Sequence, residues 1–423
     1  MPFAAVRGIL KLVLLSALAA AVSGSVSADE AQGIGNPLHG YWTREPQDRF
    51  SRLKAEIESG RIDTSSEKVA IESLLRVLEV PPSSQTLVYS ATSLQKGLIN
   101  ARNPRALYFN DDTYVGFVPG GKIEVASLDP ELGGIFYLLD RPREGRPLRA
   151  QRERNCMNCH SPHYLGEIPA LVIESVVPVI TGGGEKAFRR EQTGHGIPLE
   201  QRFGGWYVTG DAGFGKHWGN LIFEYGAEGR RERPLAVGEL FDLSRYPVAT
   251  SDVLAHLLHE HQAGFVNRVL VGSYRTRELL AAGAQVESVA GEIEALARTI
   301  VRYVLFADEV PLPAAGIAGD AAFKTAFLAT RKPAANGASL KDFDLRMRLF
   351  RYRCSYKIYS PTFAGMPAPL KERVHRLLAR ALDGAEPEFD YLPVAERKAI
   401  RGILVETMPE MAAVWRTSAA SVR

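Results

Sequence analysis

The sequence predicts an α+β protein: an antiparallel β meander, then an irregular glycine-rich region, then a mainly helical C-terminal region. Two patterns carry this. Between residues 83 and 140, short runs rich in aromatic and β-branched side chains alternate with Asn/Asp, Pro/Gly and Gly/Gly turn signals. Beyond residue 240 the apolar positions recur three or four apart, the spacing of a helix face.

The chain opens with a targeting segment. Residues 1–28 place Arg7 and Lys11 ahead of an apolar run over 12–22 and end on Val26, Ser27 and Ala28 before Asp29 and Glu30. This is the layout of a secretory signal peptide cleaved after Ala28. The run is shorter than the ~20 residues that cross a bilayer, so the expectation is a periplasmic or secreted protein with no membrane span after cleavage.

Residues 29–82 read as a helical N-terminal segment. Phe50, Leu53 and Ile57 fall at helical spacing, and Val69, Leu74, Leu75 and Leu78 form a second stripe that stops before Pro81 and Pro82. Residues 83–140 are the meander, with strands expected at 86–89, 106–109, 113–118, 122–128 and 135–139. A basic connector follows, holding Arg141, Arg143, Arg146, Arg149, Arg152 and Arg154. It reads as a solvated linker, or as guanidiniums that pair with the carboxylates of a cofactor or an acidic partner. From 155 to 230 the composition suits a chain wrapped around something other than its own core. In 231–423, helices are expected at 251–270, 286–306, 339–350, 367–383 and 394–406, and no internal repeat is evident.

Composition bounds the function. The chain has 423 residues, 51 Lys+Arg against 48 Asp+Glu, 46% hydrophobic and 23% charged residues, which describes a folded globular protein. Removing Arg7 and Lys11 with the signal peptide leaves 49 cations against 48 anions, a net charge of +1. Nucleic-acid binding driven by bulk charge is excluded. Three cysteines are too few for a disulfide scaffold.

Two of those cysteines form the decisive motif, Cys156, Met157, Asn158, Cys159, His160, a C-x-x-C-H sequence. Thiols three positions apart on one helical turn match the two vinyl groups of a single haem, and the adjacent His then serves as proximal ligand. A chain of this composition would hold the motif by chance about once in a few thousand sequences. The competing readings are a thioredoxin-like dithiol, a zinc half-site and a structural disulfide. A zinc site wants a second ligand pair, and the remaining cysteine, Cys354, stands alone. A redox dithiol normally follows a βαβ pattern. The expected cofactor is one covalent haem c, held by Cys156 and Cys159 with His160 on the iron, so that 141–230 becomes the c-type haem-binding region.

For the sixth ligand the chain has no Met between Met157 and Met347. His217 is the first distal candidate, His195 the second and His261 the third. His217 and His195 lie in glycine-rich segments that can approach a porphyrin face, whereas His261 shares a helix face with Leu254 and Phe265, as a core histidine would. His163 is too near the attachment motif to reach the opposite face. His256 and His259 read as a surface pair, and Ala263 prevents an H-E-x-x-H motif.

With these residues in view the chain resembles a family of exported single-haem cytochrome c domain-containing proteins to which no reaction is attached. The resemblance rests on residues 84–95, 104–118 and 129–133, on the C-x-x-C-H motif, on 204–210 with His217, Trp218, Gly219 and Asn220, on Glu260, His261 and Gln262, and on 354–360. It covers most of the mature chain and implies haem and export. It also places histidines of the family pattern at 195, 217 and 261, but not at 256 or 259, and a family cysteine at 354; by itself Cys354 reads as a small buried hydrophobe.

Three functions follow. The first is a periplasmic electron carrier or relay. The second is a haem-dependent oxidoreductase, peroxidase- or oxygenase-like, using its distal pocket; the length of the chain favours it, since a carrier needs far fewer residues. The third is a haem-based sensor or binding module. The partner is a redox protein or a small-molecule substrate.

Overall fold

The aromatic runs of the meander pair in sequence order, each strand antiparallel to the next. The computed structural model describes residues 32–189, 193–283 and 285–420; the segment 1–28, expected to be a signal peptide, lies outside them. Two N-terminal helices come first, α1 (Arg49–Glu56) and α2 (Glu67–Val77). Each starts on a side-chain cap, Asp48 accepting from the Ser51 N–H and Ser66 from the Val69 N–H.

The sheet comprises β1 (Thr86–Val88), β2 (Arg105–Phe109), β3 (Thr113–Phe117), β4 (Ile123–Asp129) and β5 (Gly133–Leu139). The sequence pattern missed its two outer strands. On one edge β6 (Ala150–Arg152) turns the basic connector back onto β5, and Arg152 and Arg154 stack over the Trp42 ring. Beyond β6 lies the short helix α3 (Met157–His160), followed by the hairpin of β7 (Ser175–Pro178) and β8 (Gly184–Arg189). On the other edge β9 (Trp206–Tyr207) pairs with β1, which completes the order β6-β5-β4-β3-β2-β1-β9. A separate hairpin joins β10 (Leu221–Gly226) to β11 (Gly229–Pro234).

Strand alternation gives the sheet two unlike faces. One carries Leu87, Tyr89, Tyr108, Val115, Phe117, Ile135 and Leu139, which bury against Phe50, Ile57, Ile71, Leu74 and Leu75 of the N-terminal segment. The opposite face carries Trp206, Val88, Phe109 and Tyr114, which bury against the helical region.

That region is built on α4 (Val253–Ala281), a helix that is buried nearly all round. Helices α5 (Ala290–Val304), α6 (Ala321–Leu328), α7 (Pro361–Ala364), α8 (Ala368–Asp383), α9 (Val394–Thr407) and α10 (Pro409–Ala420) complete it. The helix expected at 339–350 does not form. There the Asp344 carboxylate accepts from the N–H groups of Arg346 and Met347, Leu345 takes a positive φ of 58°, and Phe343 bridges to Phe350. Local side-chain bonding to the backbone has displaced the helical ladder. Among the described residues no helix is long and apolar enough to cross a membrane.

Candidate functional site

Cys156, Cys159 and His160 line one cavity of about 540 Å³, a size that encloses a cofactor. Its floor is the helical-side face of the sheet, and the register shows why there is space. Phe136, Ala126, Tyr114 and Phe109 lie side by side across β5, β4, β3 and β2. In the adjoining row Glu124 pairs with Gly116, and Gly116 with Leu107. Ala126 and Gly116 are thus the two small side chains between large ones, and both line the cavity. A Cβ at Gly116 would already sit 3.3 Å from Leu107 Cδ2 and 3.2 Å from Glu124 Oε2, so a larger residue would fill the floor.

The His160 imidazole packs on Phe136 with ring centroids 4.3 Å apart, and its Nδ1–H donates to the Ala170 carbonyl at 2.9 Å. That bond fixes the tautomer and leaves Nε2 as the nitrogen with a lone pair, the usual second-shell arrangement of a metal-binding histidine. Burial lowers the His160 pKa to about 4, so the ring is neutral at physiological pH. Met157, inside the motif, is buried in the other core with the N-terminal helices.

Cys156 does not have the character of a redox nucleophile. Both thiols of the motif are free; Cys156 is half-buried and Cys159 exposed. Burial, with Glu124 and Glu153 nearby, pushes the Cys156 thiol up to about 12, whereas a dithiol nucleophile needs a lowered pKa. Among the described residues no group of three or more His, Cys, Asp or Glu is placed to hold a bare metal ion. A small-residue floor, two unpaired thiols at a cavity wall and a tethered neutral imidazole fit a covalently held haem.

None of the connector arginines lines the cavity; Arg141 pairs with Glu67, and Arg152 with the Tyr41 carbonyl. The guanidinium in the wall belongs to Arg105, which is 2.5 Å from Glu124.

The three histidines expected across from His160 stand elsewhere. His217 Nε2–H donates to Asp211 at 3.0 Å while its Nδ1 accepts from the Gly219 N–H at 3.1 Å, so both nitrogens are committed, and that bond holds the Asp211 carboxyl below its usual range. His195 and His261 are buried against each other, Nδ1 to Nδ1 at 2.9 Å, and His261 Nε2 meets Ser355 Oγ at 2.8 Å. None of the three is among the cavity-lining residues.

Besides His160, the histidine that lines the cavity is His259. It and His256 are 7% and 4% exposed, which corrects the surface-pair reading. A signal for this was present in the sequence. Val253, Ala255, Leu257, Phe265, Val266 and Leu270 spread apolar side chains around most of α4, and a helix with apolar residues on most sides is buried. Cys354 is buried as expected, and burial raises its thiol.

No family model matches the chain, and neither does any curated protein or solved structure.

Proposed function

We propose that this chain is an exported c-type cytochrome that carries one covalently bound haem and works in electron transfer or related redox chemistry. The observation that carries the reading is the placement of all three chemical groups of the C-x-x-C-H motif on one cavity wall, with His160 tethered through Nδ1 to Ala170. Cys156 and Cys159 would hold the haem through thioethers and His160 Nε2 would bind its iron. When bound, the group supplies reversible one-electron chemistry. The chain's own part is to orient the imidazole through Ala170 and Phe136, to wall the pocket from water with Leu107, Leu171 and Ile173, and to place the Arg105 cation at its edge. The signal-peptide layout supports the compartment, since haem attachment of this kind and residence outside the cytoplasm go together.

The test is expression with export in cells that carry c-type maturation machinery. The mature chain should gain the mass of one haem and show a haem-c absorption spectrum, and Cys156→Ala with Cys159→Ala should lose both. A wild-type chain without added mass, or a double variant with an unchanged spectrum, overturns the reading.

A further inference from the structure

We infer that His259 supplies the second axial ligand, so that the iron is held between two imidazoles; this rests on the haem reading above. Its starting point is hydrogen-bond satisfaction along α4. From Val253 to Asn267 the helix buries six polar side chains of His, Glu, Gln and Asn type, and five have hydrogen-bond partners. His256 meets Ser251 and the Tyr207 carbonyl, Glu260 pairs with Arg202, and His261 bonds to His195 and Ser355. Gln262 bridges Tyr114 and Tyr356, and Asn267 bonds to Leu171. His259, 93% buried on its 7% exposure, makes no hydrogen bond to any described residue, and it lines the cavity. Its ring nitrogens are not sealed off by protein as His375 Nε2 is, so the imidazole is open to whatever the cavity holds.

The sheet register adds a second, independent observation. His160 packs on Phe136 of β5, while His259 stacks on Phe109 of β2 at 5.2 Å and 19° and leans on Tyr114 of β3 at 5.5 Å. Those three aromatics belong to one cross-strand row, and the residue between Phe136 and Tyr114 in that row is Ala126. The two imidazoles therefore stand on either side of the small-residue gap, over strands two to three spacings apart, roughly 10–14 Å at the backbone. That span holds two rings with a flat group between them. Trp206, edge-on to His259 at 6.4 Å, and Phe109 fix the ring by packing where a hydrogen bond would otherwise do so. No methionine lines the cavity, so no thioether competes for this place. The assignment concerns this chain, since position 259 is not among the histidines that the family resemblance implies.

The experiment compares ferric and ferrous spectra of haem-loaded wild type, H259A, H259M and H217A, with attachment scored by mass in each. The wild type should be six-coordinate and low-spin and slow to bind CO. H259A should keep its covalent haem, turn high-spin, bind CO readily and return to low-spin with added imidazole. H259M should remain low-spin with a raised potential, as His/Met ligation gives, and H217A should match the wild type. A haem-loaded wild type that is high-spin, or an H259A that stays low-spin, overturns the inference while leaving haem attachment intact. Should H259A fail to accumulate, an H259M with the spectrum and potential of the wild type overturns it as well. A wild type without covalent haem is the separate failure of the parent reading.

Discussion

Asn267 grips Leu171 by both of its backbone polar groups: Oδ1 accepts from the Leu171 N–H at 2.9 Å and Nδ2 donates to its carbonyl at 2.8 Å. One residue earlier, the Ala170 carbonyl holds His160 Nδ1. Helix α4, which carries His259, and the wall that carries His160 are thus referenced to the same two residues. Asn267→Ala should leave two buried backbone groups unpaired and lower the unfolding free energy by about 2–4 kcal/mol. In the haem-loaded protein it should also yield a mixture of spin states. A urea titration and an absorption spectrum check both, and an unchanged midpoint would remove Asn267 from this role.

The cavity floor predicts a variant that folds but does not load. In Gly116→Val the added Cβ requires Leu107 and Glu124 to give by a few tenths of an ångström, and the remaining methyls enter the cavity. A β-branched residue suits a strand, so circular dichroism should match the wild type. The ratio of haem to protein should fall several-fold. A full complement of haem in that variant would show that the floor is not where the group lies.

Arg202 and Glu260 form an ion pair at 2.5 Å with side chains 2% and 4% exposed. The arginine also donates to the Ile197 and His195 carbonyls at 2.8 and 3.1 Å, which ties the loop holding His195 to α4. Glu260→Ala removes the carboxylate that pairs with Arg202 in the core and should destabilise by about 3–5 kcal/mol. Glu260→Gln, which keeps an acceptor, should cost less. Thermal or urea unfolding of both variants tests the order; equal losses would mean that packing, not charge, decides the site.

One source of acid sensitivity lies in α8. His375 is buried, its Nε2 has no partner among the described residues, and burial lowers its pKa from 6.5 to about 4. Above pH 6.5 the ring is neutral whether folded or unfolded. Between pH 6.5 and about 4 the unfolded chain binds a proton that the folded chain does not. Stability therefore falls with pH across that window, by at most about 1.4 kcal/mol per unit from this residue. His375→Leu should reduce the slope of that part of the profile, to which the other buried histidines also contribute, and leave stability at neutral pH equal or higher. Urea midpoints at pH 7, 6 and 5 measure it, and parallel profiles for the two proteins would assign the acid loss elsewhere.

Much of the fold was legible because its signals are local. The five strands of the meander are marked by their own side chains and turns, and α2, α4, α5, α8 and α9 by apolar spacing. The two strands missed in that sheet, β6 and β9, are two or three residues long and exist because an open sheet edge was available to pair with, and the hairpins β7–β8 and β10–β11 formed within a region read as irregular. The helix expected at 339–350 failed for the opposite reason: its apolar spacing was correct, but Asp344 bonds the backbone locally and reverses the chain.

The candidate site divides along the same line. Cys156, Cys159 and His160 stand out as candidates from the sequence alone, because the C-x-x-C-H spacing is a local pattern. Which histidine stands across the cavity was decided only by tertiary structure. His195, His217 and His261 look suitable by residue type and loop composition, yet folding commits their nitrogens to Asp211, Ser355 and each other. His259 looks unremarkable in the sequence until α4 is packed over the sheet, where Phe109, Tyr114 and Trp206 hold its ring beside the gap over Ala126 and Gly116. Side-chain chemistry is a property of the residue; whether a nitrogen is left free to use it depends on every neighbour that burial brings within hydrogen-bond reach.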